Sequence, residues 1–310
     1  MAHAVTALHE LEVFTSLDEP RTAAALARRH RLDAGMLKGV LDFVAARTSL
    51  LRAIAADRYV VTKDYSAHAR FLLNLYAGAF RANAVNLAQV LRSPRRASRE
   101  VDRSKHAAAF EGTAVRGGLL SALVRELGLN PTLDLGCGAG SLLVELATGN
   151  SDFRGWGIER NPAMCRVARK KVRDAKVSDR VRILRGDSRD SAAALHSAAR
   201  KSVRGIIASQ VANEMFAAGN RDAIAWLRKL RREFPGRLLL IADYYGQLGK
   251  VKGQPHRETL LHDYAQVISG QGVPPASIRE WRRIYSAAGS RLVHALEDEA
   301  TTLFIHVVVL

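Results

Sequence analysis

In the stretch "LDLGCGAGS", Leu133 to Ser141, glycine recurs at every second position behind an apolar run, at Gly136, Gly138 and Gly140. Glycine lets a backbone approach a ligand with no Cβ in the way and takes left-handed φ at little cost. The residues before the turn read as the end of a buried strand, and "SLLVELA" after it reads as the opening of a helix. The N–H groups at that helix start face whatever the turn holds. Spacing narrows the ligand. A phosphate-cradling loop needs Lys and then Ser or Thr after its last glycine, and no Lys follows here. The dinucleotide fingerprint wants glycine at position 141, where the chain has Ser141. What remains is a G-x-G-x-G turn preceded by Asp134.

Two more acids end the next two strand-like stretches. "FRGWGIE" closes on Glu159, about twenty residues beyond the glycines, where a carboxylate accepts both hydrogen bonds of a ribose diol. "RVRILRGD" closes on Asp187, an acceptor for an exocyclic amine such as that of adenine. One acid at a strand end is as often a helix cap. Two in succession behind a glycine turn point to a nucleoside ligand.

These residues need a scaffold that brings strand ends together. From "HAAAFEGTAVRGGLLSALVREL" onward, strand and helix patterns alternate, with strands at "PTLDL", "FRGWGIE", "RVRILRGD", "VRGIIASQ" and "GRLLLIADY". Alternation of this kind implies a parallel sheet with helices on both faces, an α/β fold whose ligands lie beyond the carboxyl ends of the strands. The chain then closes on "SRLVHAL" and "TTLFIHVVVL", separated only by "EDEA", which reads as an antiparallel hairpin.

The first ninety or so residues read differently. "HELEVFTSL" is amphipathic, "RTAAALARRHR" is a short Ala-rich helix, and "DAGMLKGVLDFVAART" starts at the cap candidate Asp33. "LLRAIAADRYVVT" looks like two short strands around a turn, so three helices and a hairpin give a winged-helix plan. "SAHARFLLNLYAGAFRANAVNLAQVL", residues 66–91, continues as helix with apolar residues on more than one face, as in a helix buried against a partner. The polar, charged "SPRRASREVDRSK" reads as a linker. The domains expected are therefore 1–93, a linker over 94–106, and 107–310.

The chain's 310 residues are long enough for one large domain or two ordinary ones. No run approaches a membrane span of about 20 apolar residues, and the N-terminus lacks signal-peptide order. Only Cys137 and Cys165 occur, which implies no disulfide framework and fits a reducing, cytoplasmic setting. The spacing of its histidines gives no zinc helix, so no metal is expected. The net charge of +17 comes from 47 basic against 30 acidic residues, 37 of the basic ones Arg. Either Arg-rich composition fills solvated faces, or the protein binds an anionic small molecule or nucleic acid. Aromatic residues are only 6% and none interleaves the clusters "RKKVR" and "RKLRR", so base stacking on single strands is poorly supported.

Taken together, "LDLGCGAGS…GIERNPA…RVRILRGDS" resembles the class I S-adenosylmethionine-dependent methyltransferases. The helical front end, from "EVFTSL" to "RYVVT", and the tail "LLHDYAQVISGQGVPPASIREWRRIYSAAGSRLV" resemble the small-molecule O-methyltransferase branch with its winged-helix domain. The resemblance implies a Rossmann-like seven-stranded methyltransferase sheet of order 3-2-1-4-5-7-6 with an antiparallel last strand. By position, Gly136, Gly138 and Gly140 would wrap the amino-acid part of S-adenosylmethionine, with Asp134 beneath. Glu159, followed by Arg160, would hold the ribose; Asp187, followed by Ser188, would meet the adenine. Ser209 and Gln210 would line the methionyl side, and S-adenosylhomocysteine would be the product. The branch implies a homodimer clasped through the winged-helix domain.

One part of the pattern breaks. The branch places a His-Asp pair past its fourth strand, with His as general base; in "SQVANEM" Asn213 holds the first position and Glu214 the second. Asparagine accepts no proton at neutral pH, and general-base help is worth about 10²–10⁴-fold in rate. Three explanations follow. The acceptor needs little base and alignment does most of the work, with Asn213 orienting it. Or the base has moved, to His262, Glu214 or the pocket candidates Tyr244 and His256. Or the chain is a cofactor-binding scaffold. The leading expectation is methyl transfer to a small molecule, anionic if the arginines are functional. The alternatives are an RNA or DNA methyltransferase, whose Asn/Asp-Pro-Pro-aromatic motif "ANEM" lacks, and a ligand-binding winged-helix regulator. The near-neutral helix at 33–48 makes that regulator a poor groove reader.

Overall fold

The computed structural model describes residues 1–55, 57–111, 117–249, 254–298 and 300–310. They form two compact units, Met1–Arg81 and Ala82–Leu310.

The first unit holds the helices Ala2–Glu10, Ala23–His30 and Ala34–Arg47, with strands β1 (Arg21–Thr22), β2 (Leu51–Ala55) and β3 (Arg58–Val61) in the order β1-β3-β2, all antiparallel. Local signals set the helix starts. Thr22 Oγ1 accepts from Ala25 N–H at 3.2 Å and Asp33 Oδ1 from Met36 N–H at 2.7 Å, satisfying N–H groups that lack a partner inside the helix. Phe14, Leu17, Leu26, Leu41, Val44 and Tyr59 fill the core. "HELEVFTSL" is not one amphipathic helix: the first helix ends at Glu10 and a 3₁₀ turn follows at Phe14–Ser16.

The long helix expected over 66–91 is broken into pieces. An α-turn at Ala67–Leu72 passes into π-helix at Leu73–Ala79, followed by short helices at Arg81–Val85 and Leu87–Arg92. The two units divide within this stretch, earlier than the expected domain end at 93, and the expected linker 94–106 consists mainly of helical turns at Pro94–Arg96 and Ala97–Glu100 and the start of the helix Arg103–Glu111. The physical reason is Asn83, fully buried, whose amide donates to the carbonyls of Ala97 at 2.7 Å and Ile268 at 2.9 Å. Those bonds fasten the segment into the second unit.

In that unit seven strands form one sheet: β4 (Thr132–Leu135), β5 (Gly155–Glu159), β6 (Val181–Arg185), β7 (Gly205–Ser209), β8 (Leu238–Tyr244), β9 (Arg291–Asp298) and β10 (Leu303–Val309). The order is β6-β5-β4-β7-β8-β10-β9, and only β10 runs against its neighbours. Counted within the unit this is the expected 3-2-1-4-5-7-6. Central strands such as β4 are buried on both faces, as helical crossovers require. Helices Pro162–Asp174, Asn220–Glu233 and Ile278–Ala288 each present an apolar stripe to the sheet and a basic or polar face outward.

His306 of β10 is fully buried and uses both ring nitrogens. Nδ1 lies 2.9 Å from Tyr285 Oη and Nε2 3.0 Å from Tyr245 Oη, while Tyr245 donates to Glu297 at 2.6 Å. With the Tyr245 hydrogen on Glu297, its oxygen accepts from Nε2–H, and Tyr285 therefore donates to Nδ1. Burial holds the imidazole neutral, pulled down to about 3.

Candidate active site

The glycine turn sits at the carboxyl end of β4, the strand between β5 and β7. Gly136, Gly138 and Gly140 all take left-handed φ, at +65°, +53° and +71°. Gly140 caps the helix Ser141–Gly149, accepting from Val144 N–H at 3.0 Å. A Cβ on Gly136 would stand 2.4 Å from Val211 Cγ2. One on Gly138 would meet only Met164 Cε at 3.4 Å, so that side of the turn is open to a ligand.

Glu159, ending β5, is tied to this turn. Its Oε2 accepts from Gly138 N–H at 3.1 Å and its Oε1 from Asn161 N–H at 2.7 Å. Burial raises its pKa and those two N–H groups oppose the rise. Asp134 is buried in β4; burial first, and the Glu159 charge second, push its carboxyl up to about 8. An acid held protonated beside a second acid is a place where a cation would be welcome.

Arg160 reaches over to Glu214, Nη2 to Oε2 at 2.8 Å. Arg160 follows β5 and Glu214 lies in the 3₁₀ turn Ala212–Phe216 after β7, so the ion pair crosses the width of β4. Asp187, beyond β6, accepts from Arg189 N–H at 2.8 Å, and Ser188 O accepts from Trp226 Nε1 at 3.0 Å, which anchors this loop on the helix Asn220–Glu233. Ser209 ends β7. Gln210 takes φ +55°, a conformation uncommon for a side-chain-bearing residue, held by its N–H bond to Ala242 O at 2.8 Å.

Beyond β7 and β8 the remaining expected residues gather. Asn213 is buried, its N–H bonded to Asp243 Oδ2 at 3.0 Å. Burial pushes the Asp243 carboxyl up to about 7, opposed by the backbone N–H groups of Asn213, Tyr244 and Ala212. Tyr244, the last residue of β8, has its pKa raised by burial first and then by the Asp263 charge. The His262 ring stands edge-on to Tyr244 at 5.1 Å, and Gln266 Nε2 donates to His262 Nε2 at 3.0 Å. Burial holds His262 neutral, down to about 4. His256 is the cap of the helix Arg257–Ile268, its Nδ1 accepting from Thr259 N–H at 3.3 Å.

One group escaped sequence reasoning. His106, on the helix Arg103–Glu111, lies near Arg103, His262 and Arg160; burial first, and the charges of Arg103 and Arg160 with it, pull its pKa down to about 4. Arg103 in turn feels Arg160, Glu214 and Glu159. This helix is held near β5 by Asn161 Nδ2, which donates to Arg103 O at 2.9 Å. No sequence signal marks His106, because its neighbours come from distant segments. No group of three or more metal-ligating side chains is found among the described residues. None of their helices is long and apolar enough to cross a membrane.

Residues 132–232, from β4 through most of the helix after β7, match the family model described as "Methyltransferase domain". The whole chain is similar in structure to PigF with SAH, at 19% identity and TM-score 0.75, with 99% of this chain and 95% of that chain covered. It is similar to the mitomycin 7-O-methyltransferase MmcR at 19% identity and TM-score 0.69, covering 99% and 93%. A third similar structure is NcsB1, an O-methyltransferase from neocarzinostatin biosynthesis, at 19% identity and TM-score 0.68, covering 99% and 95%. The chain thus carries a methyltransferase domain within a class I methyltransferase fold.

Proposed function

We propose that the second unit binds S-adenosylmethionine at the glycine turn and directs its methyl group to a small-molecule acceptor beyond β7 and β8. The observation that carries this reading is the Glu159 carboxylate fastened to Gly138 N–H, beside a turn whose glycines leave no Cβ in the cradle. Buried, protonated Asp134 beneath it fits a cationic ligand. The proposed contacts are the glycines with the amino-acid part, Glu159 and Arg160 with the ribose, Asp187 and Ser188 with the adenine, and Ser209 and Gln210 with the methionyl side. Similar structures support it: NcsB1 was solved with S-adenosylmethionine and 2-hydroxy-5-methyl naphthoic acid.

Bound there, the cofactor supplies an electrophilic methyl on a sulfonium. The chain's task is to aim an acceptor lone pair at it and keep water away. Asn213 takes no proton, and His262 Nε2 already accepts from Gln266. Glu214 is engaged by Arg160. The acceptor is therefore one that gives up its proton readily, and alignment by Asn213 and Tyr244 supplies most of the acceleration. His256 acts here through the helix it caps. The first unit, with its three helices and small antiparallel sheet, is proposed to be the winged-helix clasp of a homodimer.

Calorimetric titration with S-adenosylmethionine and S-adenosylhomocysteine tests the cofactor; absence of heat with both removes the reading. Turnover of a phenol, amine and keto-acid panel by Asn213→His and His262→Ala tests the acceptor site. If neither substitution alters any rate, the acceptor lies elsewhere.

A further inference from the structure

Three loops beyond the carboxyl ends of the sheet are tied together at one residue, Glu214. Its Oε2 takes Arg160 Nη2 at 2.8 Å, from the loop after β5. Its carbonyl accepts from Arg189 Nη2 at 3.1 Å, and Arg189 Nη1 also stands 3.6 Å from Asp187 Oδ2 in the loop after β6. The sheet order runs β6-β5-β4-β7, so both ties span the end of β4, where the glycine turn lies. The Glu214 charge also acts on Glu159, the acid bonded to Gly138 N–H.

The backbone of this tie is fixed and its side chains are not. Asn213, Met215 and Phe216 are buried around Glu214, and Asn213 N–H is bonded to Asp243. Arg160 is 36% and Glu214 24% exposed, so water competes for the pair and it parts at little cost. A cavity of about 280 Å³, lined by Arg189, Glu214, Met215 and Trp226 among others, gives the Glu214 and Arg189 side chains room to swing. So wet an ion pair adds little to stability. Across a ligand cleft the same weak pair works as a latch. With Asn213 in the place of a histidine, Glu214 has no imidazole to orient there and holds an arginine instead.

We infer that Glu214 is a positioning residue: its ion pair with Arg160, braced by Arg189, forms a latch across the glycine turn that parts to pass S-adenosylmethionine or its product and re-forms over them. The inference rests on the cofactor reading of the same site. A latch that closes alike over the empty and the filled cleft slows entry and exit together and leaves affinity nearly untouched.

The test separates exchange from affinity. S-adenosylhomocysteine is the probe, because it carries no net charge at neutral pH and salt then acts on the latch rather than on the ligand's approach. Chasing labelled S-adenosylhomocysteine with unlabelled gives koff, calorimetry gives Kd, and their ratio gives kon. Glu214→Gln should raise koff and kon together by about threefold, within the range an exposed ion pair supplies, and move Kd by less than about twofold. Raising salt from about 0.05 to about 0.5 M should speed release from the wild type by a similar factor and leave the variant unchanged. Arg189→Met, which cuts the second tie, should also speed both steps; it and the wild-type salt series decide where Glu214→Gln does not fold. Release that neither substitution nor salt accelerates overturns the inference. So does a faster koff with kon unchanged, which makes Glu214 a direct contact of the cofactor. Either result leaves the cofactor reading standing, whereas failure of S-adenosylhomocysteine to bind the wild type overturns both.

Discussion

Replacing Glu159 by glutamine is the sharpest perturbation of the cofactor cradle. The carboxylate accepts from Gly138 N–H at 3.1 Å and from Asn161 N–H at 2.7 Å. Glutamine has one acceptor oxygen, so whichever way it settles, its NH₂ faces one of those N–H groups. Its neutral oxygen is also a poorer partner for a ribose diol. A hydrogen bond to a charged group contributes about 1.5–3 kcal/mol, and losing one weakens S-adenosylhomocysteine by about 10- to 150-fold. Calorimetric Kd values for wild type and Glu159→Gln at pH 7 measure this directly. Circular dichroism melts separate weakened binding from a damaged fold. A well-folded Glu159→Gln protein whose Kd moves less than threefold would refute the assignment of the glycine turn and its acid to a nucleoside.

Other outcomes follow from the same geometry. Gly136→Ala forces a left-handed residue against Val211 Cγ2, so its melting temperature should drop by at least the equivalent of about 1–2 kcal/mol; an unchanged melt contradicts the φ of +65°. Asp134, held at about 8, should lose its proton when a cation binds above it. Titrations of S-adenosylmethionine at pH 7 in buffers of different ionisation enthalpy should therefore reveal up to one proton released, and identical heats in all buffers count against it. His106, His262 and His306 stay neutral in the folded chain to about pH 4, 4 and 3, so each loses stability as pH falls below 6.5. Asp134 and Asp243, held at about 8 and 7, lose stability as pH rises from 4 through those values. Above pH 6.5 the histidines no longer act and the acids do, so stability should fall from pH 6.5 to 8. Urea melts that strengthen steadily from pH 5 to 8 would contradict these assignments.

What the chain reveals before folding depends on how local the constraint is. The turn at Gly136, Gly138 and Gly140 was legible because three left-handed residues in a row of five admit little but glycine. Glu159 and the closing hairpin were legible because strand periodicity is a short-range pattern, whereas the sheet order came only from the resemblance to the methyltransferases. The break in the helix over 66–91 was not, because Asn83 finds its partner Ile268 far along the chain and hydropathy counts only its polarity. His256 read as a pocket residue, since a cap and a ligand group look alike until the helix start is fixed. Asp263 gave no signal at all, because the Gln247 and Leu248 N–H groups from which it accepts come within reach only on folding.

The Tyr285–His306–Tyr245–Glu297 series has a direction. Each hydroxyl and imidazole passes its hydrogen the same way, from the interior toward the exposed acid on the outermost strand. Nothing inside the file sets that polarity; the terminal carboxylate does, because it can only receive. A surface residue thus dictates the tautomer of a ring at the centre of the hydrophobic layer. An amide in place of Glu297 would let the file run either way, and the core would hold two proton arrangements where it now holds one.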